Sequence, residues 1–472
     1  MEDEYGIPTV PLVTARFADF VERDARTRGT PLRFGFPPYP VVGMSRAVLR
    51  QYIEGNDPIT SMPFMREVIE ALTSPLTESE KHPTITRKPR RPRLLAADTV
   101  ENLYRQFVEN GWTDGLPIVL PTEERVAEML TGTDHAPHEL VGRMLVTTHQ
   151  EKMEYTVEKV AAIAVMAGAR PEHFPVILAL AASQEPSMPS STTSWGRMVI
   201  VNGPIRNEIA MNCGTAALSP FNLANSVIGR AWTLMSINFG DARAGENFMA
   251  SFGHNLNYNN MCCGENEELS VFEPFHVQKG FRAQESVVSL FRGWNVLSFG
   301  IGPAKEMAHV ISTFGSMGTS ITFVVDPLVA KNLRAEGFRT KRDACKWIVE
   351  NSHVPAGHYW EGQMQSGFAA GLAKQGVEPF ASWAQLPRDA PVTPRRSPDD
   401  INFLVVGGET NPMWITTDFT YTQSVSIDRW RPKGGLHRDA RPLRMPAPLT
   451  CKDGTCGIPE STASAEPVRA AD

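Results

Sequence analysis

The stretch from Arg197 to Glu268 constrains this chain more than any other. It opens RMVIVNGPIRNEIAMNCG, continues LANSVIGRAWTLMSINFGDARAGENF and closes MASFGHNLNYNNMCCGENEE. Met198 to Val201 is an apolar run ending on the turn residues Asn202-Gly203-Pro204, which predicts a buried strand delivered into a turn. Beyond it Asn212, Asn222, Asn225, Asn238, Asn247, Asn255, Asn257, Asn259 and Asn260 are interspersed with glycines and cysteines. Asn and Gly suit backbone at positive φ, and Asn offers both donors and acceptors to a polar, uncharged wall. A pocket lining needs that mixture; structured loops on a large domain would show it too. Binding residues gather on loops held by a rigid scaffold, so a pocket is the expectation, with Asn202, Asn225 and Asn260 as substrate-binding candidates.

A chain of 472 residues predicts roughly two to four domains, each able to bury a core. The net charge of −6 argues against a chain-wide nucleic-acid surface. No run approaches the roughly 20 apolar residues of a membrane helix, so no membrane partner is expected. The start, MEDEYGIPTV, is acidic and has no apolar core of a secretory signal. Six cysteines in so long a chain do not make a disulfide scaffold. These features together point to a cytoplasmic protein.

Residues 1–74 read as one unit. Ile7–Thr14 is rich in β-branched residues and interrupted by Pro8 and Pro11, which predicts an edge strand. Phe17–Arg28 predicts a helix stopped by Gly29, and further helices are expected from Ser45 and over Phe64–Leu72. A strand so near the start, with no earlier strand to pair with, looks like the second half of an α/β domain. EYGIPTVPLVTARFADF, with the FPPYP crossing, resembles the C-terminal half of the UGSC-motif proteins, named for a Cys- or selenocysteine-Gly-Ser-Cys motif in an Asp/Glu-racemase-like α/β domain. No Cys-Gly-Ser-Cys occurs in this sequence. If the family's chemistry depends on that cysteine pair, the resemblance leaves three readings: a partner subunit that carries the CGSC half-domain, a misplaced start of the sequence, or an absent activity. The partner subunit is preferred, and with it an oligomer.

Residues 75–97, with KHPTITRKPRRPR, read as a basic, proline-rich linker. The main domain is expected over 98–440, as a larger α/β domain with a mixed sheet. Helices are predicted from Thr99, Thr122 and Thr156, the first two flanking an expected strand at Ile118–Leu120. Later strands are expected at Ser320–Val325 and Phe403–Val406, and His353 and His358 in a loop over Asn351–Trp360. GWTDGLPIVLPTEERV, TVEKVAAIAVMAGARPEHFPVIL and the NSVIGRAW…NFGDARAGE region resemble a second family, uncharacterised bacterial proteins with GWTDGLP-type and TVEKVA-type motifs. They are often encoded with or fused to UGSC-type domains. That resemblance implies a context and no reaction.

Several residues carry candidate chemistry. Trp112 and Asp114 occupy the GWTDG turn, where Asp114 either orients a substrate group or makes ordinary Asp-Gly turn chemistry. Glu158, beside Lys159, is a catalytic pair member or a first-turn acid that favours the helix dipole. Arg230, in an apolar helix, is an internal ion pair or an anion anchor; with no obvious carboxylate in the neighbouring loops, the anchor is preferred. Cys262 and Cys263 are adjacent, and neighbouring Cα atoms are about 3.8 Å apart, too close for an easy disulfide. One of them, next to Glu265, serves as nucleophile or soft-metal ligand, or both are small buried hydrophobes. Cys213 is a weaker candidate, and Cys345 reads as core.

Cys451 and Cys456 lie in a Pro/Ser/Thr/Ala-rich tail over 441–472, separated by a stretch containing the turn pair Asp453-Gly454. Paired thiols there suit a carrier of reducing equivalents or of a soft metal. The expectation is an enzyme subunit using thiol-dependent, redox chemistry on a small organic substrate. Its catalytic candidates are Cys262, Cys263, Cys451, Cys456, Glu158 and Glu265. Two alternatives stay open: a lyase or hydrolase in which Glu158, Asp114, His254 or His276 act as acids and bases, and a non-catalytic chain that completes a partner's site. No motif names a cofactor, and a soft metal at the cysteines is the one the residues admit.

Overall fold

The computed structural model describes residues 6–30, 32–41, 43–82, 92–144, 153–300, 302–312, 320–362, 365–394 and 397–436, and the backbone of 450–452 and 455–457. It combines helices with mixed and antiparallel sheets, an α/β chain as expected.

The N-terminal region is helical: α1 (Ala18–Arg28), α2 (Arg46–Glu54), α3 (Phe64–Thr73) and α4 (Glu78–Lys81). Gly29 stops α1 at φ +63°, the left-handed conformation glycine adopts freely. The strand expected at Ile7–Thr14 shrinks to one parallel bridge, Leu12 to Gly35. Pro8 and Pro11 have no N–H to give a ladder, and the bonds that join the two stretches include Val13 to Gly35 (3.0 Å), Gly35 to Pro11 (3.1 Å) and Ala15 to Pro37 (2.9 Å). The expected linker also differs, because α4 lies inside it. Its Glu80 takes both Nε (2.6 Å) and Nη2 (2.8 Å) of Arg33, fastening residues 77–81 onto the helical unit. Residues 83–91 of the linker lie outside the described residues.

Threonine caps start α5 (Val100–Glu109) and α6 (Glu123–Leu130), where Thr99 and Thr122 accept N–H groups of the first turn. Ile118–Leu120 forms no strand; the Val119 N–H reaches the Met166 carbonyl instead (3.4 Å). The hairpin β1 (Leu140–Met144) and β2 (Met153–Thr156) leads into α7 (Val157–Ala167) and then α8 (Phe174–Ala182), both buried on most faces. They are interior helices, as the apolar runs Val160–Ala167 and Phe174–Ala182 predict.

Two four-stranded sheets follow. The first has the order β12-β5-β3-β4, from β3 (Gly196–Asn202), β4 (Cys262–Gly264), β5 (Val287–Gly293) and β12 (Thr420–Ser426). The second has the order β10-β7-β11-β6, from β6 (Val296–Gly300), β7 (Ile321–Val325), β10 (Ile401–Val405) and β11 (Trp414–Thr417). A small two-stranded antiparallel sheet, β8 (Val354–Pro355) with β9 (Pro391–Val392), stands apart. His358 lies on the helix Ala356–Glu361 that follows β8, where a loop was expected. In each large sheet one neighbouring pair is parallel (β3 with β4, β7 with β10) and the remaining pairs are antiparallel.

The period-2 alternation of each strand sorts its side chains into layers. Val199, Val201, Val288, Leu290 and Cys262 pack on α7, α8 and α9 (Leu223–Asn238). Met198, Ile200, Phe291 and Cys263 face the second sheet through Val324, Leu404 and Ile415. The far side of that sheet, Ile321, Phe323, Val325, Phe403 and Val405, packs on α10 (Ala304–Ser312), α11 (Pro327–Ala335) and α12 (Lys341–Asn351). The result is four layers: helix, sheet, sheet, helix. Each fully buried Val, Leu or Ile contributes about 1.5–3 kcal/mol to holding them together. Among the described residues no helix is long and apolar enough to cross a membrane.

Candidate functional site

The carboxyl ends of the parallel strands β3 and β4 meet in a buried polar junction. Glu265, just past β4 and fully buried, accepts from Lys341 Nζ (2.6 Å) and the Val405 N–H (3.3 Å) on one oxygen. Its other oxygen accepts from Asn202 Nδ2 and the Phe275 N–H, both at 2.7 Å. Burial alone would raise this carboxyl; the Lys341 charge and these donors overcome it and hold Glu265 below the ordinary carboxylate range. With two donors on each of its oxygens, Glu265 ties both sheets to α12.

Glu267 and Glu268 extend the junction. Glu267 accepts from Asn202 Nδ2 and the Gly203 N–H, both at 2.8 Å, and pairs with Arg206 at 2.9 Å. Arg206 also reaches Glu268 (3.1 Å) and the Glu265 carbonyl (2.6 Å), and lies 3.5 Å from Cys213 Sγ. Burial pushes the Cys213 thiol up to about 11 despite that guanidinium. His276, fully buried, has Nδ1 at 3.9 Å from Glu267, and neither ring nitrogen has a hydrogen-bond partner.

The adjacent cysteines separate completely. Register places Cys262 beside Val199 and Cys263 beside Ile200, so their side chains leave β4 on opposite faces. Cys262 enters the helix-side core and Cys263 the seam between the sheets. Burial raises both thiols far above their usual range, so both are protonated at neutral pH. They do not form one dithiol site.

A cavity of about 460 Å³ opens between the edge strands β4 and β6. Leu218, Leu256, Met261, Val296 and Ile415 give it apolar walls, and His254, Asn255, Asn259, Cys262, Trp294 and Asn295 complete them. None of these is Lys, Arg, Asp or Glu. His254 is fully engaged: Nδ1 accepts the Leu256 N–H (3.2 Å) and Nε2 donates to the Trp294 carbonyl (3.1 Å), which assigns a neutral ring. Asp418 holds the Trp294-Asn295 turn through both backbone N–H groups, at 2.8 and 2.9 Å.

The cavity floor is strained. Asn260 and Met261 sit at φ +51° and +41°, in the left-handed region that Asn takes readily and a side chain such as Met seldom does. Asn260 Nδ2 secures the strained pair by donating to the Gly229 carbonyl (2.8 Å) and Thr233 Oγ1 (2.9 Å) of α9. Gly229 permits that approach: a Cβ there would lie 1.8 Å from the Asn259 carbonyl oxygen.

The other candidates lie elsewhere. Asp114 and Arg230 pair with each other, so Arg230 is no anion anchor; the carboxylate that the flanking loops lack comes from the GWTDG turn. Trp112 stacks edge-on with Phe107 (5.3 Å) and gives its carbonyl to Asn238 (2.9 Å). Asn225 accepts the Asn212 N–H and donates to the Asn212 and Ala217 carbonyls, riveting the loop before α9. Glu158 pairs with Arg93 at 2.6 Å, and that hydrogen bond lowers its pKa. Thus the structure brings together Cys262 and Asn260, Asn202 and Glu265, and Asp114 and Arg230, at three separate places. Asn255 and Asn259 are among the asparagines expected to line a pocket, whereas Trp294 and Asn295 are cavity residues that sequence reasoning did not single out; the Gly293-Trp294-Asn295 turn after a strand-like run was the available signal.

Among the described residues no group of three or more His, Cys, Asp or Glu is placed to hold a metal ion. In the tail, the backbone of β13 (Thr450–Lys452) pairs antiparallel with β14 (Thr455–Gly457), setting Cys451 opposite Cys456. The chain matches no protein-family model, no curated protein and no solved structure.

Proposed function

We propose that this chain is an enzyme subunit that binds a small, uncharged organic substrate in the cavity between β4 and β6, with Cys262 in its wall and the Cys262 thiol turned towards Gly229 of α9. The observation that carries this is the cavity itself: about 460 Å³, amide-rich and without a charged lining residue. Charged ligands would lose their hydration there without a counter-charge, whereas a neutral molecule with carbonyl or amide groups and an apolar body meets both kinds of wall. The positive φ at Asn260 and Met261 supports the same location.

Thiol-dependent chemistry at this place starts from a protonated Cys262, and Cys263 cannot act as its resolving partner from the opposite face. The test is intrinsic tryptophan fluorescence and thermal shift against neutral aromatic amides and their carboxylate analogues. A response to the amides, lost in Trp294→Phe and absent with the carboxylates, is expected. Equal binding of both classes, or none, would overturn the cavity as the substrate site. Retention of activity on a responding compound in Cys262→Ser would remove the thiol while leaving the cavity.

A second reading, a chain that completes a partner's site, is favoured by the N-terminal helices. Met65, Ile69 and Leu72 form an i, i+4, i+7 stripe on α3 that is 42%, 54% and 38% exposed, and Ile7 and Leu12 of the N-terminal stretch are exposed as well. The partner we propose is the CGSC-bearing half-domain that the resemblance of residues 4–20 implies. Light scattering of the purified chain, alone and after co-expression with such a domain, separates the two readings.

A further inference from the structure

We infer that Cys451 and Cys456 are a reversible dithiol–disulfide pair, held across a two-stranded hairpin and exchanging with low-molecular-weight disulfides. The observation is a juxtaposition of backbone: Thr450 lies opposite Gly457, Cys451 opposite Cys456, and Lys452 opposite Thr455. In sequence only Asp453 and Gly454 separate the two strands, the pair favoured in two-residue hairpins. Such a hairpin closes on a hydrogen-bonded pair, here Lys452 and Thr455, and antiparallel pairs alternate in type. Cys451 and Cys456 therefore occupy a non-hydrogen-bonded position, where opposed Cα atoms are about 4.5 Å apart. That lies inside the roughly 4.4–6.8 Å range of disulfides.

The remaining cysteines do not compete. Cys213, Cys262, Cys263 and Cys345 are free, and the last three are buried. Burial holds the Cys345 thiol up at about 12 and Cys213 at about 11, so neither supplies much thiolate. The hairpin pair closes only a short loop, so its bond constrains the unfolded chain little, and its role is exchange more than stapling.

The balanced step takes one glutathione disulfide. A thiolate of the pair attacks one glutathione sulfur and expels the other glutathione as its thiol. The second cysteine then attacks the mixed disulfide and expels the second glutathione. Two cysteine S–H groups are oxidised to one S–S bond, one disulfide is reduced to two thiols, and both protons end on glutathione.

The test uses the full chain equilibrated with glutathione disulfide and glutathione, blocked with N-ethylmaleimide, and digested with trypsin. Lys452 lies between the two cysteines, so cleavage there separates peptides 445–452 and 453–469 unless a disulfide joins them. The expected result is a joined species, lighter than its two peptides by two hydrogens, that dithiothreitol dissolves. In Cys451→Ser that species is replaced by a mixed glutathione disulfide on Cys456. Recovery of both peptides carrying maleimide after oxidation, or of each carrying its own glutathione, would overturn the inference. No ligand enters the experiment, so failure of the cavity proposal leaves its outcome unaffected.

Discussion

Asp114 and Arg230, 116 residues apart, meet in a two-pronged ion pair: Nε to Oδ2 at 2.7 Å and Nη2 to Oδ1 at 2.9 Å. Arg230 Nη2 also donates to the Pro117 carbonyl (2.8 Å), and Asp114 is only 4% exposed. The GWTDGLP turn is thereby clamped to α9, the helix that carries Gly229 against the cavity floor. Removing one partner strands a charge with little water, whereas removing both does not. Asp114→Ala is expected to lose about 3 kcal/mol in urea unfolding, and Asp114→Ala with Arg230→Met distinctly less than the sum of the single changes. Additive losses would mean the pair is uncoupled.

His173 sets an acid limit. Burial lowers its pKa from 6.5 to about 4, and Arg170 adds to the effect; its Nδ1 accepts the Arg170 N–H at 3.1 Å. The unfolded chain therefore takes up a proton at this residue before the folded one does. Its contribution is fully present above pH 6.5 and is lost as pH falls from 6.5 towards about 4, on the order of 3 kcal/mol in all. His173→Gln should flatten the stability curve across that interval, as measured by denaturant midpoints at successive pH values.

Lys341 and Glu265, 2.6 Å apart and at most 2% exposed, fix the junction of the two sheets. Because the folded carboxyl is lowered from 4.5, its contribution is present above pH 4.5 and is lost as pH falls through the lower folded value. Lys341→Met removes the charge that outweighs desolvation. The expected loss at neutral pH is about 3–5 kcal/mol, with acid unfolding beginning at higher pH than in the parent. Lys341→Met with Glu265→Gln should recover part of both effects.

Gly229→Ala tests the cavity floor. The added methyl would meet the Asn259 carbonyl and the Cys262 Cβ, at 1.8 and 2.8 Å, so α9 must withdraw. A loss of about 3 kcal/mol, near the top of the range for overpacked sites, is expected in thermal unfolding. Any ligand-induced fluorescence change at Trp294 should weaken with it. Unchanged stability would show that the helix and floor are not in contact.

Local chemistry made much of the fold legible. The caps at Thr99 and Thr122, the stop at Gly29 and the strand ending on Asn202-Gly203 each depend on neighbours in sequence. The unbroken apolar runs of α7 and α8 showed that both helices would be interior. What stayed hidden depends on partners far along the chain. Three-residue β4 is too short to show a period, yet its register decides where Cys262 and Cys263 point. Ile118–Leu120 has a strand's composition but reaches a helix end, and the carboxylate for Arg230 arrives from 116 residues away. The asparagines illustrate both outcomes: Asn255 and Asn259 line the cavity as their composition suggested, while Asn225, on α9, bonds to Asn212 and Ala217 of the loop before that helix.

The opposed placement of Cys262 and Cys263 gives the protein two reporters one residue apart. A label reaching the first registers loosening of the helix layer from its sheet, and a label reaching the second registers parting of the two sheets. Pulse-labelling during unfolding, read as which of two neighbouring atoms reacts first, would therefore time the separation of the layers against each other without any engineered probe.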